Sequence, residues 1–163
     1  MAPISTPAER AMSLFRLDFA PAHRPPAIGR LALATLLSIA GSLGADAALV
    51  AIGTRVFPST KGYGHFQFHD YAKLTIIGVV IACAAWPLVC RASSAPRWIF
   101  FRLAILVTAV LLLPDLYILH QGQPSRAVAV LMVMHLAIGL ITYNLLVHVA
   151  PVRRRRAADA PTD

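Results

Sequence analysis

Four long apolar runs constrain this chain more than any other feature: Leu31 to Ile52, Tyr71 to Cys90, Ile99 to Leu119 and Ala127 to Val149. Each approaches or exceeds the roughly 20 residues that a helix needs to cross a hydrocarbon core. The expected fold class is therefore all-α, a four-helix transmembrane bundle. Of the 163 residues, 58% are hydrophobic and only 13% charged, far to the apolar side of an ordinary soluble domain. The runs leave space for an N-terminal arm (residues 1–29), one membrane domain (30–150) and a basic tail (151–163), with no separate soluble domain.

The formal charge of +8 is better explained by topology than by nucleic acid. With both termini cytoplasmic, Arg10, Arg16, Arg24, Arg30, Arg91, Arg97, Arg102 and Arg153 to Arg156 lie inside, against Arg55, Lys61, Lys73 and Arg126 outside. Eleven against four obeys the positive-inside rule. The tail arginines Arg153, Arg154, Arg155 and Arg156 are also placed to attract anionic lipid headgroups, at about 1 kcal/mol per basic residue near the surface. The expected location is the inner membrane, multi-pass. Its partners are the lipid bilayer and a membrane-protein partner or second copy, with no nucleic acid.

Arg30, an apolar run and Ala45-Asp46-Ala47 imitate a cleaved signal peptide, but the preceding arm is long and the run continues through Val50 and Ile52. An uncleaved first helix is expected. The arm contains five prolines, yet "AERAMSLFRLDF" mixes Met12, Leu14, Phe15, Leu17 and Phe19 with charges in the manner of a short interfacial helix. Cys83 and Cys90 are seven residues apart in one predicted helix, about 10 Å along its axis, too far for a disulfide within the intact helix. They read as small apolar packing residues.

Ala34, Ser38, Ser42 and Asp46 repeat every four residues and so share one face of the first helix. Thr75, Gly78, Ala82 and Ala85 form a comparable stripe on the second. Small residues at such spacing let a second membrane helix approach closely. The longest connection, "RVFPSTKGYGHFQFHD", reads first as an interfacial loop. Extended, it would set His65, Gln67 and His69 opposite Phe66 and Phe68; helical, it would bring His65 and His69 onto one face beside Asp70, a weak candidate metal site that lacks a full ligand set.

Asp46, Asp115 and His135 come from three different helices. They lie about 10, 8 and 12 Å below the outer ends of the expected spans, at 1.5 Å per residue. Ionisable groups in hydrocarbon need partners or water, and the shared depth predicts that these three meet. Pro114, which removes a backbone bond to Val110, is expected to kink the third helix and widen the bundle into a small polar cavity open to the outside. Thr108 continues the polar face inward, as do Gly139 and Thr142 after His135, while His120 and Gln121 are candidates for the cavity mouth. Asn144 and His148, four apart near the inner end, form an undistinctive pair.

The acidic "GSLGADAALVAIG", the "PD" of the third run and "VMHLAIGLI" in the fourth resemble the small four-helix membrane proteins, common in actinobacteria, that are grouped as domains of unknown function. The resemblance covers about Ile28 to Ala150 and implies a four-helix fold in the inner membrane, with no activity to transfer. Thirteen arginines against two lysines fit a GC-rich bacterial genome.

No nucleophile with a base, cofactor motif or complete metal set is present in the sequence, so no catalytic residue and no cofactor is assigned. The leading reading is a small structural or accessory subunit of the bacterial envelope. A proton- or cation-coupled carrier or sensor is the alternative, and a membrane enzyme using His135 with an aspartate is weaker. An N-terminal tag is expected to remain on the mature protein; its loss from the main band on a gel, with a C-terminal tag retained, would reduce the bundle to three spans.

Overall fold

Lipid offers peptide groups no hydrogen-bond partner, so a chain of this composition satisfies its backbone within helices. The computed structural model describes residues 12–13 and 23–154. Four long helices account for most of them: α1 (Ile28–Val56), α2 (Phe68–Ala92), α3 (Pro96–His120) and α4 (Ser125–Val149). All four are long and apolar enough to cross a membrane; the chain is a multi-pass membrane protein. The helices overrun the expected spans by up to four residues, α1 ending at Val56 rather than Ile52. Hydropathy falls at Arg30 and Arg55, whereas the backbone ladder continues through both.

Two short strands, β1 (His23–Arg24) and β2 (Arg153–Arg154), pair antiparallel, with His23 opposite Arg154 and Arg24 opposite Arg153. The pairing places both ends of the membrane domain at one end of the bundle, here the terminal end. The opposite, loop end carries the connection between α1 and α2. Of the interfacial segment expected in the arm, only Met12 and Ser13 are described, and both are helical. Arg155 and Arg156 lie outside the described residues.

α4 is the organising helix. It packs most extensively on α1, then on α3, and also touches α2, while α2 and α3 meet only lightly. Ala34, Ser38, Ser42, Asp46 and Gly53 are the buried residues of α1, and the seam with α4 is correspondingly close. A Cβ built on Gly41 would stand 3.2 Å from Ile141 Cγ2, and one on Gly53 only 2.8 Å from Val130 Cγ2. Gly139 of α4 similarly admits Thr108 of α3, whose Oγ1 would lie 2.7 Å from an added Cβ.

The stripe expected on α2 is turned partly away from the core. Gly78 is exposed and an added Cβ there meets nothing within 4 Å. The buried face is instead Ala72, Thr75, Val79, Cys83, Trp86 and Cys90. Larger side chains win because the terminal end must be filled. Trp86 is completely buried, its ring centroid 4.9 Å from that of Phe100, which in turn stacks on Tyr143 at 6.1 Å. The Trp86 Nε1–H donates to the Ala150 carbonyl at 2.8 Å, satisfying a group that the end of α4 would otherwise leave unpaired. Cys83 and Cys90 are free thiols within this plug.

Gly53→Ala is expected to destabilise the bundle by about 1–3 kcal/mol through overpacking, read as a lower thermal midpoint in detergent. Adding Val130→Ala, which removes the methyl that clashes, is expected to restore part of the loss.

Candidate functional site

Asp46 lies on the face of α1 that turns toward the bundle interior and is fully buried. Thr75 Oγ1 of α2 donates to its Oδ2 at 2.8 Å. Asp46 Oδ1 has no hydrogen-bond partner. Across the bundle, α3 supplies Asp115, 5% exposed, and α4 supplies His135, whose Nδ1 lies 3.0 Å from Asp115 Oδ2.

The same Nδ1 is 3.1 Å from the Leu131 carbonyl oxygen. A carbonyl only accepts, so Nδ1 carries a proton and directs it along its own helix. The approach to Asp115 is thus an electrostatic contact, and Asp115 Oδ2 is left without a formed hydrogen bond. His135 is also near enough to Asp46 for their charges to interact. The structure therefore brings the three ionisable residues together as a contact pair plus a neighbour: Asp115 with His135, and Asp46 beside them on Thr75.

Counted from the actual helix ends, the three depths are about 15, 8 and 15 Å at 1.5 Å per residue. The ends of α1 and α4 stand farther from the site than the end of α3, and the meeting of the side chains depends on packing rather than on equal depth. Pro114 lies inside α3 beside the buried Asp115. α3 continues through it from Pro96 to His120, and Pro114 is exposed while Asp115 is buried, so the proline faces the lipid side.

Asp46 and Asp115 are both buried, and the α1–α2 connection stands on the loop side of Asp115. Two 3-10 turns, Pro58–Thr60 and Gly64–Phe66, flank Gly62, whose φ of 81° suits a residue without a Cβ. The Tyr63 ring meets the edges of His65 and Phe66 at centroid distances of 5.4 and 5.3 Å. Its hydroxyl is buried without a partner. Burial first, and then the charge of Asp115, push the Tyr63 phenol above its ordinary pKa. The charge of His65 reaches Asp115 as well, so this turn lies over the pair.

Tyr63 and Thr75 belong to the site although sequence reasoning did not assign them. Thr75 carried a usable signal, being a hydroxyl four residues from Val79 and eight from Cys83 on the buried face. Tyr63 carried only its position between two glycines. The mouth candidates fall elsewhere. His120 and Gln121 are exposed, about 140° and 120° around α3 from Asp115 at 100° per residue, and Gln121 Nε2 donates to the Tyr117 hydroxyl at 3.0 Å.

The outer histidines do not assemble as a metal site. His69 Nε2 pairs with Asp70 Oδ1 at 3.2 Å, both side chains well exposed, while His65 is engaged with Tyr63. Among the described residues, no three of His, Cys, Asp and Glu are grouped to hold a metal ion. His148 Nδ1 and the Asn144 amide bond only to their own helix.

Compared with known protein families, the chain matches the family of unknown function DUF6069 over residues 21–154, and it belongs to that family. The match runs from the residues just before β1 through β2 and so includes all four helices. No curated protein and no solved structure matches it.

Thr75→Val keeps the shape of residue 75 but removes the donor to Asp46, and is expected to cost about 1–3 kcal/mol of stability in thermal unfolding. Spectrophotometric titration of the phenols, with Tyr63→Phe used to assign the signal, is expected to show Tyr63 ionising above the ordinary tyrosine range. In Asp115→Asn, where the repelling carboxylate charge is gone, that midpoint is expected to fall.

Proposed function

We propose that this member of a family of unknown function is a small structural or accessory subunit of the bacterial inner membrane, with both termini cytoplasmic. Its polar groups serve to fix the packing of the bundle. The observation that carries the reading is the pairwise joint at the loop end: Asp46 with Thr75 links α1 to α2, and Asp115 with His135 links α3 to α4. An interhelical hydrogen bond such as that from Thr75 to Asp46 averages about 0.6 kcal/mol in membrane bundles, small in stability but selective for one rotation of each helix. The Arg and Lys distribution supports the cytoplasmic termini, and the preference for Arg over Lys supports a GC-rich, actinobacterial source.

α3 is the helix that a membrane partner or a second copy has most reason to cover. Only Pro96, Phe100 and Asp115 of its 25 residues are buried, whereas Ile105, Leu106, Leu113 and Leu116 present apolar surface outward. Anionic lipid fits the terminal end, where the Arg102 guanidinium stacks 3.8 Å from the Trp98 ring centroid and the basic tail follows.

A proton- or cation-coupled carrier or sensor is the second reading, favoured by the Tyr63 turn closing over an ionisable pair whose His135 side chain keeps 28% exposure. An enzyme using His135 with an aspartate would require His135→Ala to abolish an activity while leaving the bundle stable.

Affinity purification in mild detergent followed by mass spectrometry is expected to recover a stoichiometric membrane-protein partner or a homo-oligomer, and an empty pull-down would overturn the accessory role. Asp115→Asn is expected to weaken partner retention without a transport-linked phenotype. A transport or pH-response defect in a fully assembled Asp115→Asn protein would favour the carrier or sensor instead.

A further inference from the structure

The hydroxyls of this chain behave in two ways. Thr35 and Thr54 donate to carbonyls four residues earlier, Leu31 at 2.9 Å and Val50 at 2.8 Å, the local solution open to a hydroxyl on a helix. Ser38, Ser42 and Thr142 do not. They are 0%, 0% and 4% exposed, and their oxygens have no hydrogen-bond partner, as is also true of Asp46 Oδ1. A buried hydroxyl without a partner forfeits the bonds it made in water, and four such oxygens in one part of the core call for a common occupant.

Their arrangement selects its chemistry. Ser38, Ser42 and Asp46 follow one another at four-residue intervals, about 6 Å per step along the α1 axis. The register of α1 on α4, set by Gly41 against Ile141 and Gly53 against Val130, brings Thr142 to a level between Ser38 and Ser42. The set spans about 12 Å, too far for one ion, whose oxygen ligands must lie within about 2.6 Å of it. Three of the four groups are hydroxyls whose protons need an acceptor, which a cation cannot be. Water is both donor and acceptor, and buried water characteristically bonds to about three otherwise unsatisfied polar groups.

We propose that the bundle interior beside the α1–α4 seam holds a file of bound water seated on Ser38, Ser42, Thr142 and Asp46. The file runs from the level of the Asp115–His135 pair to about one turn beyond the middle of the membrane, since Ser42 is the central residue of the 29-residue α1 and Ser38 lies four residues past it. The aromatic plug of Trp86 and Phe100 closes it toward the terminal end. The water gives Asp46 a hydrogen-bonded route along which each molecule passes on one O–H proton and receives another, with no net change in the file. The proposal is independent of whether the chain is an accessory subunit or a carrier.

The sign of a stability change tests it. Removing a hydroxyl that binds water destabilises, while removing one buried dry is neutral or stabilising. Ser42→Ala and Thr142→Val in the full-length protein in detergent are each expected to lower the thermal midpoint by roughly 2–4 °C. Pulsed hydroxyl-radical footprinting of the unaltered protein supplies a second readout. Met134, 3% exposed on α4 and next in sequence to His135 at the loop end of the file, is expected to be oxidised by radicals formed from bound water, with Trp86 in the plug protected. Unchanged or raised midpoints together with an unlabelled Met134 overturn the file. So does a midpoint that rises in sodium over N-methylglucamine at equal ionic strength and loses this response in Asp46→Asn, which would put an ion in place of water. Should the variants fail to fold, the footprint at Met134 decides alone.

Discussion

The hydrogen bond from Thr75 to Asp46 is the interaction on which the loop half of the bundle depends. A carboxylate on the innermost face of α1 cannot turn to the bilayer without exposing itself to hydrocarbon, so α1 is held in one rotation and α2 must present a donor at the same level. Once α1 is so oriented, Ser42, Ser38 and Ala34 follow inward on the same face. The close seam with α4, with glycines at Gly41 and Gly53, then needs no bulky side chain from α1.

The bundle divides along its axis. Near the termini the interior is filled by Trp86, Phe100, Tyr143, Leu146 and the two thiols, close-packed and apolar except for the Trp86 bond to the end of α4. Toward the loop end the interior becomes polar, first with the unbonded hydroxyls and then with Asp46, Asp115 and His135 beneath the Tyr63 turn. Packing density holds the first half and electrostatic pairing the second. Such polarity is costly in a membrane protein and does not arise from composition alone, since the large side chains on the outward faces are mostly Leu, Ile and Val.

Much of this was legible in the residues. The four spans follow from run length, and the small stripe of Ala34, Ser38, Ser42 and Asp46 from its four-residue period; both lie where the pattern places them. The matching stripe on α2 was misjudged because smallness alone does not say which face is inside: Gly78 faces outward, and Trp86, too large for a close helix contact, fills the plug. Pro114 makes the same point about faces. It neighbours Asp115 in sequence but points about 100° away on the helix, toward lipid. Tyr63 was missed because a loop residue carries no periodicity to reveal what it covers.

The sequence by itself determined the number of helices, their approximate ends, and that Asp46, Asp115 and His135 would have to find partners, because hydrocarbon penalises both an unpaired peptide group and a lone charge wherever the chain goes. Only the tertiary structure decided who those partners are. The rotation of each helix and its axial offset from the next are set by side-chain interlocking, Gly53 on Val130 and Gly139 on Thr108. A shift of one residue at either contact turns a side chain by about 100°, enough to separate His135 from Asp115 without altering any apolar run.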